Sequence, residues 1–484
     1  MLGHLYEPGA VPLGQSYEGV GGKTLTNPIP PGARDAWRRL VPVAVGGSIE
    51  SPSPDPGEEY PAVNTQLYGG VEPAENSRRE RRTIAHYNLP DPVPPRPPMN
   101  GFVTDYIQAF RRDVGRDPSY EEYAVILRCF APESLPVLST LARSFAVCDH
   151  WHCAVPSQTF TNRSFFHAGT SGGSVLNVPY AAWVRENDAE TIFNRIESKR
   201  RSLSWKVYFD CEDSYSLTAL IHYPVLKNSL GTGFADMERF LEDARAGTLP
   251  SYAFIEPRFF LNHNDQHPPI QFLGKSLHSS VLAGEVLIER VYDAIRRSDN
   301  EKGSNFSNTL LVVTYDEHGG TYDHVPPPEA APPEASAPRG QMGFRFDRLG
   351  VRVPAVLISA WIEPGTVVST PLDHGSILRT MSKKWDLGHL TERDRASNDV
   401  GAAFNRGTPR PRESWPVVRA RPMPRRELRQ AANMDHPLNG LQRSVLGLAT
   451  ALGADHASPG RAHTVSSAIH TIRTAVARAG FCRR

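Results

Sequence analysis

The chain has 484 residues, of which 39% are hydrophobic, and its 53 Lys and Arg residues are nearly balanced by 52 Asp and Glu residues. This length allows a large core, in one large α/β domain or in two to three smaller ones. The near-neutral charge argues against a dedicated nucleic-acid-binding protein, which usually has a strong basic excess. The longest apolar runs, residues 310–315 and 353–361, are far shorter than the roughly 18–20 residues of a membrane span. No transmembrane segment is therefore predicted.

The beginning of the chain has neither the basic region nor the apolar region of a signal peptide, so the sequence as it stands predicts a cytoplasmic protein. Five cysteines are present without a Cys-x-x-Cys pair, which argues against a zinc ribbon or a redox motif of that kind. Cys148 and Cys153 can form a disulfide in an oxidising compartment. The low cysteine content favours the alternative, in which they are buried free thiols.

The first hundred residues are rich in Pro and Gly, with breaks in regular structure at 28–32, 51–57 and 90–98. This composition predicts long loops with few regular elements. Loops of this length in a compact protein often cover a functional site.

From about residue 118 the pattern changes to helices and short apolar strands. The predicted helices are 120–131, 135–143, 160–168 and 281–297. The predicted strands are 144–148, 205–210, 252–256, 309–315 and 353–362. The apolar run at 309–315 is the strongest prediction of a buried strand. Continuously apolar strands that alternate with helices predict a parallel sheet covered on both faces, and such sheets bind ligands at the carboxyl ends of their strands.

The last part of the chain differs in composition from the rest. Residues 326–338 form a Pro-, Ala- and Glu-rich insert, which predicts a surface loop. Beyond residue 400 the chain is rich in Arg and Pro and ends in two candidate helices, near 438–452 and 465–476. We therefore divide the chain into a domain over residues 1–400 and a C-terminal extension over residues 401–484, a tail or small cap.

The densest group of chemically active side chains follows the strand predicted at 309–315. Asp316, Glu317 and His318 come first, two glycines follow, and His324 comes soon after. Adjacent carboxylates at the end of a strand can coordinate a divalent cation through oxygen, and the glycines allow a sharp turn beside a ligand. The alternative is a charged loop with a Gly turn. The density of acidic and His residues favours the metal site. Carboxylates this close repel each other unless a cation or a proton lies between them.

Thr159 follows a Pro-Ser turn and precedes the helix predicted over 160–168. A hydroxyl at this position is commonly an N-cap, and the spacing alone favours that interpretation. The start of a helix also binds anions through its free N–H groups, and a neighbouring metal would turn the hydroxyl into a nucleophile. Asn162 and Arg163 can hold phosphate oxygens, with a solvated helix face as the alternative.

A third group lies at residues 262–269, which include His267, and His278 comes shortly after. His and Asp mixed with Asn suit metal ligation, phosphate binding or general-acid catalysis. A His-containing surface loop fits the same pattern equally well.

Together these segments resemble the phosphoesterase family that contains bacterial and plant non-specific phospholipases C and related acid phosphatases. The segment Thr-Tyr-Asp-Glu-His-Gly-Gly-Thr-Tyr-Asp-His-Val-Pro-Pro-Pro at 314–328 is similar to the signature of that family, as are residues 135–149 and 156–163. Shorter similar stretches lie at 54–57, 64–69, 99–106, 264–269 and 373–378. The resemblance runs from residue 1 to about residue 400.

The resemblance implies an alkaline-phosphatase-like α/β fold with a central, mostly parallel sheet and helices on both faces. It also implies metal-dependent hydrolysis of a phosphate ester, with one divalent cation of unknown identity and a hydroxyl nucleophile that forms a phospho-enzyme. By position, Thr159 would be the nucleophile, and Asp316 and Glu317 would bind the metal. His267 and His278 would hold phosphate or protonate the leaving oxygen. The further candidates for contact with phosphate or substrate are Asn162, Arg163, His318 and His324.

The resemblance leaves the substrate open between two enzyme classes. Thr at the nucleophile position favours a phospholipase C, which hydrolyses phospholipid diesters such as phosphatidylcholine. A broad-specificity acid phosphatase is the alternative. The oligomeric state is not predicted.

The beginning of the chain departs from the family pattern. Family members open with a strand and a Glu-Asn-Arg-Ser-Phe-Asp-His motif whose Glu and Asn bind the metal, and residues 1–3 resemble the residues directly after that motif. We therefore expect a domain that lacks its first strand and two metal ligands, and a natural protein that starts upstream. An upstream segment would leave secreted and periplasmic locations open beside the cytoplasmic one. The competing expectation is a truncated, catalytically impaired remnant that only binds phosphorylated ligands.

Overall fold

The computed structural model describes residues 1–49, 52–70, 87–199, 202–210, 215–259, 263–268, 271–272, 275–276, 281–334, 339–422, 438–453 and 464–478. These residues form a mixed α/β structure. The helices are α1 Tyr60–Tyr68, α2 Phe102–Val114, α3 Tyr120–Ala124, α4 Pro136–Ser144, α5 Thr159–Ala168, α6 Tyr180–Arg185, α7 Ile192–Lys199, α8 Leu217–Ile221, α9 Tyr223–Leu226, α10 Met237–Ala246, α11 Val281–Arg297, α12 Gly375–Trp385, α13 Glu392–Ala396, α14 Gly440–Gly453 and α15 Val465–Arg478. The strands are β1 Thr26–Pro28, β2 Leu40–Pro42, β3 Ala44–Val45, β4 Arg128–Cys129, β5 Ala146–Cys148, β6 Trp151–His152, β7 Trp205–Phe209, β8 Phe234–Asp236, β9 Tyr252–Ile255, β10 Gln271–Phe272, β11 Lys275–Ser276, β12 Leu311–Thr314, β13 Ala355–Ile358, β14 Thr366–Val368 and β15 Leu372–Asp373.

Most of the predicted helices and strands are confirmed, and one helix is shorter than predicted. The helix predicted over 120–131 ends at Ala124 and continues as a 3-10 turn over Val125–Leu127. Arg128–Cys129 then forms β4, which pairs in parallel with β3. Since β3 lies far away in the sequence, local helical spacing could not reveal this pairing.

Two sheets dominate the described structure. The four-stranded sheet has the order β12-β13-β5-β14, in which β13 runs antiparallel to both of its neighbours and β14 runs parallel to β5. The three-stranded sheet has the order β8-β7-β9 and is entirely parallel. The predicted parallel pairing is thus found throughout the second sheet and in part of the first.

The edges of these two sheets border one cavity. Among the described strands, β12 and β9 each end their sheet. All residues of both strands are half-buried, whereas all residues of β13 are buried. The prediction that the strand at 309–315 is fully buried is therefore wrong. Its outer side lines a cavity of about 1450 Å³ that β9 also lines.

The main core lies between the four-stranded sheet and the helices α4 and α12. Part of the C-terminal extension belongs to this core, because Trp415 is 1% exposed and its ring lies 4.8 Å from the ring of Phe145. The ring of Tyr292, on α11, stacks on Trp415 from another side.

The two cysteines agree with their predicted character. Cys148 and Cys153 are buried free thiols. Over the described ranges, no helix has both the length and the apolar composition needed to cross a bilayer.

Candidate active site

Arg163 connects the ends of two strands that belong to different sheets. Its Nε atom lies 3.3 Å from Oδ2 of Asp316, which follows β12, and its Nη1 atom lies 3.3 Å from Oε1 of Glu256, which follows β9. Arg163 is 6% exposed, and Glu256 is 1% exposed. The carboxyl ends of β9 and β12 therefore meet at one guanidinium group. The Thr218 hydroxyl donates a hydrogen bond to Oε1 of Glu256 (2.7 Å), on the β9 side of this contact.

Thr159 is the first residue of α5, one turn before Arg163, and it is 2% exposed. The N-cap residue is Gln158, so the interpretation of Thr159 as the N-cap is wrong. Within the described ranges the Thr159 hydroxyl has no hydrogen-bond partner. Thr159 lines the cavity together with Arg163, Asp316 and His267. Its hydroxyl is thus free to react with a ligand in the cavity.

Asp55, Glu58 and His267 form a compact group of potential metal ligands. One ligand atom from each side chain lies within 4.8 Å of the others. Nε2 of His267 lies 3.2 Å from Oε1 of Glu58 and 3.8 Å from Oδ2 of Asp55. Among the described residues, Oδ1 of Asp55, Oε1 of Glu58 and Nε2 of His267 are buried without a hydrogen-bond partner. Buried polar atoms normally have partners, so this arrangement fits a cation held by the two carboxylates beside His267.

The charges around this group also fit a cation. Burial raises the pKa of Asp55 above its ordinary value. Burial opposes protonation of His267, yet the neighbouring Asp55 and Glu58 raise its pKa well above the usual range. Burial, together with the negative charges of Glu58 and Asp316, raises the pKa of Glu317 well above its ordinary value. Buried like charges need compensating positive charge, which a divalent cation would supply.

The loop at residues 263–268 holds His267 in this position. Nδ1 of His267 lies 3.0 Å from the carbonyl oxygen of Pro268, which leaves Nε2 to face the carboxylates. Oδ1 of Asn264 accepts a hydrogen bond from the backbone N–H of Arg258 (2.6 Å). Gln266 has a positive φ of 60° and donates to the carbonyl oxygen of Val281 (2.8 Å). These contacts fix the loop between β9 and α11.

His318 lies beside the metal-ligand group rather than in it. Its Nε2 atom lies 2.7 Å from Oε1 of Gln66, and Gln66 donates to the carbonyl oxygen of Gly57 (2.7 Å) and to Asp105 (2.8 Å). Burial lowers the pKa of His318 to about 4, so the ring is neutral near pH 7. This chain of contacts ties the turn after β12 to the segment that carries Glu58.

The structure places the other predicted residues in different surroundings. The side-chain amide of Asn162 is engaged with backbone groups, and its Nδ2 donates to the carbonyl oxygens of Val155 and Ser157 (3.1 and 2.8 Å). His324 lies with Glu18, whose Oε1 is 2.9 Å from its Nε2, and does not line the cavity. His278 lies outside the described residues.

Sequence reasoning missed three residues of this site: Asp55, Glu58 and Glu256. Asp55 and Glu58 lie in the Pro-rich region, whose composition predicts only covering loops. The signal at this point is the similarity of residues 54–57 to the family, which by itself selects no ligand. Glu256 is the acidic end of a predicted strand, and the rule that ligands bind at strand ends could have selected it.

Comparisons with a family model and with related sequences agree on one family. The sequence model of the phosphoesterase family matches residues 41–388. "Non-specific phospholipase C3" of Arabidopsis thaliana is 34% identical over 75% of this chain and 64% of its own length. "Non-specific phospholipase C5" of the same plant is 30% identical over 86% of this chain and 74% of its own length. "Phospholipase C A" of Mycobacterium tuberculosis (strain ATCC 25618 / H37Rv) is 28% identical over 60% of each chain.

The chain thus spans a little under two thirds of the first of these relatives and about three quarters of the second. Among solved structures, "Crystal structure of Ps i-CgsB" is similar at 13% identity and a TM-score of 0.32, over 56% of this chain and 70% of that chain. A likeness this remote carries no argument about the fold.

Proposed function

The chain belongs to the phosphoesterase family, and we propose that it is a metal-dependent phosphoric ester hydrolase of the phospholipase C type. The observation that carries the proposal is the one cavity that Thr159, Arg163, Asp316 and His267 line, with Asp55 and Glu58 beside His267. A free hydroxyl, a fixed guanidinium and a buried set of anionic ligands are what phosphoryl transfer requires.

We assign Asp316 and Glu317, together with Asp55 and Glu58, to holding one divalent cation, and we assign His267, which lies beside Asp55 and Glu58, to proton transfer. Which of these side chains are direct ligands is part of the proposal. When bound, the cation withdraws charge from the phosphate and favours the ionised form of a neighbouring hydroxyl. The ligand set is rich in oxygen, which admits calcium, magnesium, manganese or iron.

The side chains of this protein would carry the reaction in two steps. Arg163 binds phosphate oxygens and orients the phosphorus toward Thr159. The Thr159 oxygen loses its proton to solvent and forms a bond to phosphorus while the bond to the leaving alcohol breaks, and His267 gives that alcohol a proton. Water then gives a proton to His267 and attacks the phosphorus, the bond to Thr159 breaks, and the Thr159 oxygen takes a proton from solvent, which restores the hydroxyl.

The names of the relatives support a phospholipid diester as the substrate. A phosphate monoester, hydrolysed as by a broad-specificity acid phosphatase, is the second candidate. A catalytically impaired remnant that binds phosphorylated ligands without turnover is the third. Turnover that depends on a metal would exclude the third candidate.

We further propose that the sheets ending in β9 and β12 are parts of one alkaline-phosphatase-like central sheet. In this proposal one further strand, parallel to both, fills the cavity between them. The half-buried edges of both strands and the cavity that they share support the proposal. The family domain would then end near residue 400, and residues 401–484 would be an extension of it.

Trapping of the covalent intermediate tests the proposed chemistry. The protein, with Mg²⁺, Mn²⁺ or Ca²⁺ added in turn, is mixed with p-nitrophenyl phosphate or p-nitrophenylphosphorylcholine, quenched in acid and digested for mass spectrometry. A phosphocholine adduct on Thr159 supports the phospholipase C type, and a phosphate adduct from the monoester alone supports the acid phosphatase. Turnover with no adduct on Thr159 under conditions where hydrolysis of the covalent intermediate is slow would remove Thr159 from the nucleophile role.

A further inference from the structure

The two C-terminal helices lie outside residues 41–388, the part of the chain that the family model matches. They form a hairpin in which α14 packs against α15, α6 and α8. The approach to α6 is close, since a β-carbon at Gly447 would come within 2.1 Å of the Tyr180 ring. The apolar cluster beneath the hairpin also contains Phe160 and Phe259, which flank the candidate active site. The hairpin is therefore attached to the site itself.

The first contact reaches the start of α5. The backbone N–H of Phe160 donates to Oδ1 of Asn177 (3.0 Å), and Nδ2 of Asn177 donates to Oγ of Ser444 on α14 (3.2 Å). Asn177 is 3% exposed and Ser444 is 6% exposed. Phe160 follows Thr159 directly, so the orientation of the Thr159 backbone is linked through one amide side chain to α14.

The second contact reaches Arg163. Nε2 of Gln442 donates to the carbonyl oxygen of Phe259 (2.8 Å), and Gln442 is 1% exposed. The guanidinium carbon of Arg163 lies 5.3 Å from the centre of the Phe259 ring. Gln442 is itself fixed by Asn439, whose Oδ1 accepts from the Gln442 backbone N–H (2.7 Å). The aromatic surface under Arg163 thus depends on a buried side chain of α14.

The third contact reaches the metal-ligand group. A β-carbon at Gly440, the first residue of α14, would lie 3.4 Å from Oδ2 of Asp55. Leu441 lines the same cavity as Thr159 and His267. The start of α14, which carries the positive end of the helix dipole, therefore lies beside a carboxylate of the site.

From these three contacts we propose that α14 is a positioning element of the active site, with Gln442 and Ser444 as its positioning residues. The inference rests on the proposed function, since it concerns the same site. Ser444, through Asn177, fixes the start of the helix that presents Thr159. Gln442, through Phe259, fixes the surface on which Arg163 rests. Misplacement of a reacting group by about 1 Å can reduce turnover by about 10²-fold, so loss of either contact lowers kcat more than it raises KM.

The test compares Ser444→Ala and Gln442→Leu with Thr450→Ala in the full chain. Thr450 is a matched control, because its hydroxyl donates only within α14, to the carbonyl oxygen of Leu446 (2.8 Å). Thermal unfolding and circular dichroism are measured for all three variants, and kinetics are measured well below the lowest melting temperature. We expect kcat for p-nitrophenylphosphorylcholine to fall at least tenfold in Ser444→Ala and Gln442→Leu, with KM within threefold of wild type, and to stay unchanged in Thr450→Ala.

A second measurement separates this inference from the proposed function. Binding of orthovanadate, a phosphate mimic, is measured by calorimetry for the wild type and the three variants. If neither the wild type nor its N-terminally extended form turns over substrate, the proposed function fails, and a weakening of vanadate binding by at least fivefold in Ser444→Ala or Gln442→Leu alone still supports the positioning role. If neither kcat nor vanadate affinity differs between these variants and Thr450→Ala, the positioning role is overturned. The same conclusion holds if all three variants lose activity only in proportion to their loss of folded protein.

Discussion

The Nε atom of Arg163 lies 3.3 Å from the Oδ2 atom of Asp316. This contact joins the helix that presents Thr159 to the end of β12, and the same guanidinium reaches Glu256 at the end of β9. Arginine can hold two carboxylates and a phosphate at once because its donors form a planar fork.

The shared guanidinium predicts that Arg163→Lys is not a conservative change. A lysine presents one ammonium group, which cannot replace both contacts and bind phosphate in the same plane. We expect kcat/KM to fall by about 10²-fold, as measured with a chromogenic phosphodiester. Arg239→Lys, where an exposed arginine pairs with Asp243 on α10, is the control and should keep wild-type activity. Equal activity of both variants would remove Arg163 from the site.

The metal-ligand group predicts that Glu58→Gln weakens metal binding. The substitution keeps the shape of the side chain and removes one negative charge from the group that Asp55 and His267 complete. We expect the affinity for Mn²⁺, measured by calorimetry at pH 7, to fall by at least about tenfold. Glu121→Gln in the first turn of α3, where the side chain is exposed, should leave the affinity unchanged. Unaltered affinity in Glu58→Gln would contradict the assignment.

The ion pair of Asp323 and Arg352 predicts how stability changes in acid. Oδ1 of Asp323 lies 2.6 Å from Nη2 of Arg352. Burial opposes ionisation, but Arg352, with His324 and His152 nearby, holds the pKa of Asp323 well below its ordinary value. A lowered folded-state pKa gives stability that is fully present above the ordinary pKa of about 3.9 and is lost as the pH falls below it.

Urea unfolding at pH 7, 5 and 3 measures this dependence. The wild type should lose more free energy of unfolding between pH 5 and 3 than Asp323→Asn, which has no charge at this position. Arg352→Met, which leaves the Asp323 charge buried without its partner, should cost about 3–5 kcal/mol at pH 7. Parallel pH profiles of the wild type and Asp323→Asn would show that the pair does not carry the acid sensitivity.

The half-buried edges of β9 and β12 predict an effect of a longer N-terminus. In the chain as it stands, amide groups on the outer edges of these strands should exchange hydrogen quickly, because unpaired edge amides meet solvent. In a chain extended upstream by the expected strand, the same amides should become protected and the melting temperature should rise. Hydrogen-exchange mass spectrometry of peptides that cover 252–255 and 311–314 measures this change. Unchanged exchange in the extended chain would exclude the added strand, as would the absence of an in-frame coding segment for it.

Much of the site could be predicted because its chemistry is local in the sequence. Asp316 and Glu317 directly follow an apolar strand, and Thr159 directly precedes a predicted helix, so a pattern of a few residues is enough to select them. Arg163 and Asp316 could each be predicted as site residues, but the contact between them could not. Nothing in the local sequence specifies which strand end faces which helix.

The remaining features depend on contacts between distant segments. Glu58 lies in a loop that precedes α5 in the sequence, and His267 lies in a loop that follows α5. The two side chains contact each other, but neither loop has a periodic sequence pattern that would predict the contact. The antiparallel direction of β13 was also missed, because a continuously apolar strand has the same composition in either direction. The half-buried state of β12 reflects the cavity beside it, which its own residues cannot indicate.

The central claim is that Thr159 acts with a divalent metal in phosphoester hydrolysis, and the most direct measurement is turnover of p-nitrophenylphosphorylcholine with and without chelator. The assay includes wild type, Thr159→Ala and Thr161→Ala, each also in the N-terminally extended form. Thr161 is the control, since its hydroxyl donates to the carbonyl oxygen of Ser174 (3.1 Å) and its loss should cost only about 1 kcal/mol of stability. We predict metal-dependent turnover by wild type and Thr161→Ala in at least one form, and a loss of at least about 10³-fold in Thr159→Ala. Wild-type turnover by Thr159→Ala, or activity that chelator leaves intact, would contradict the account.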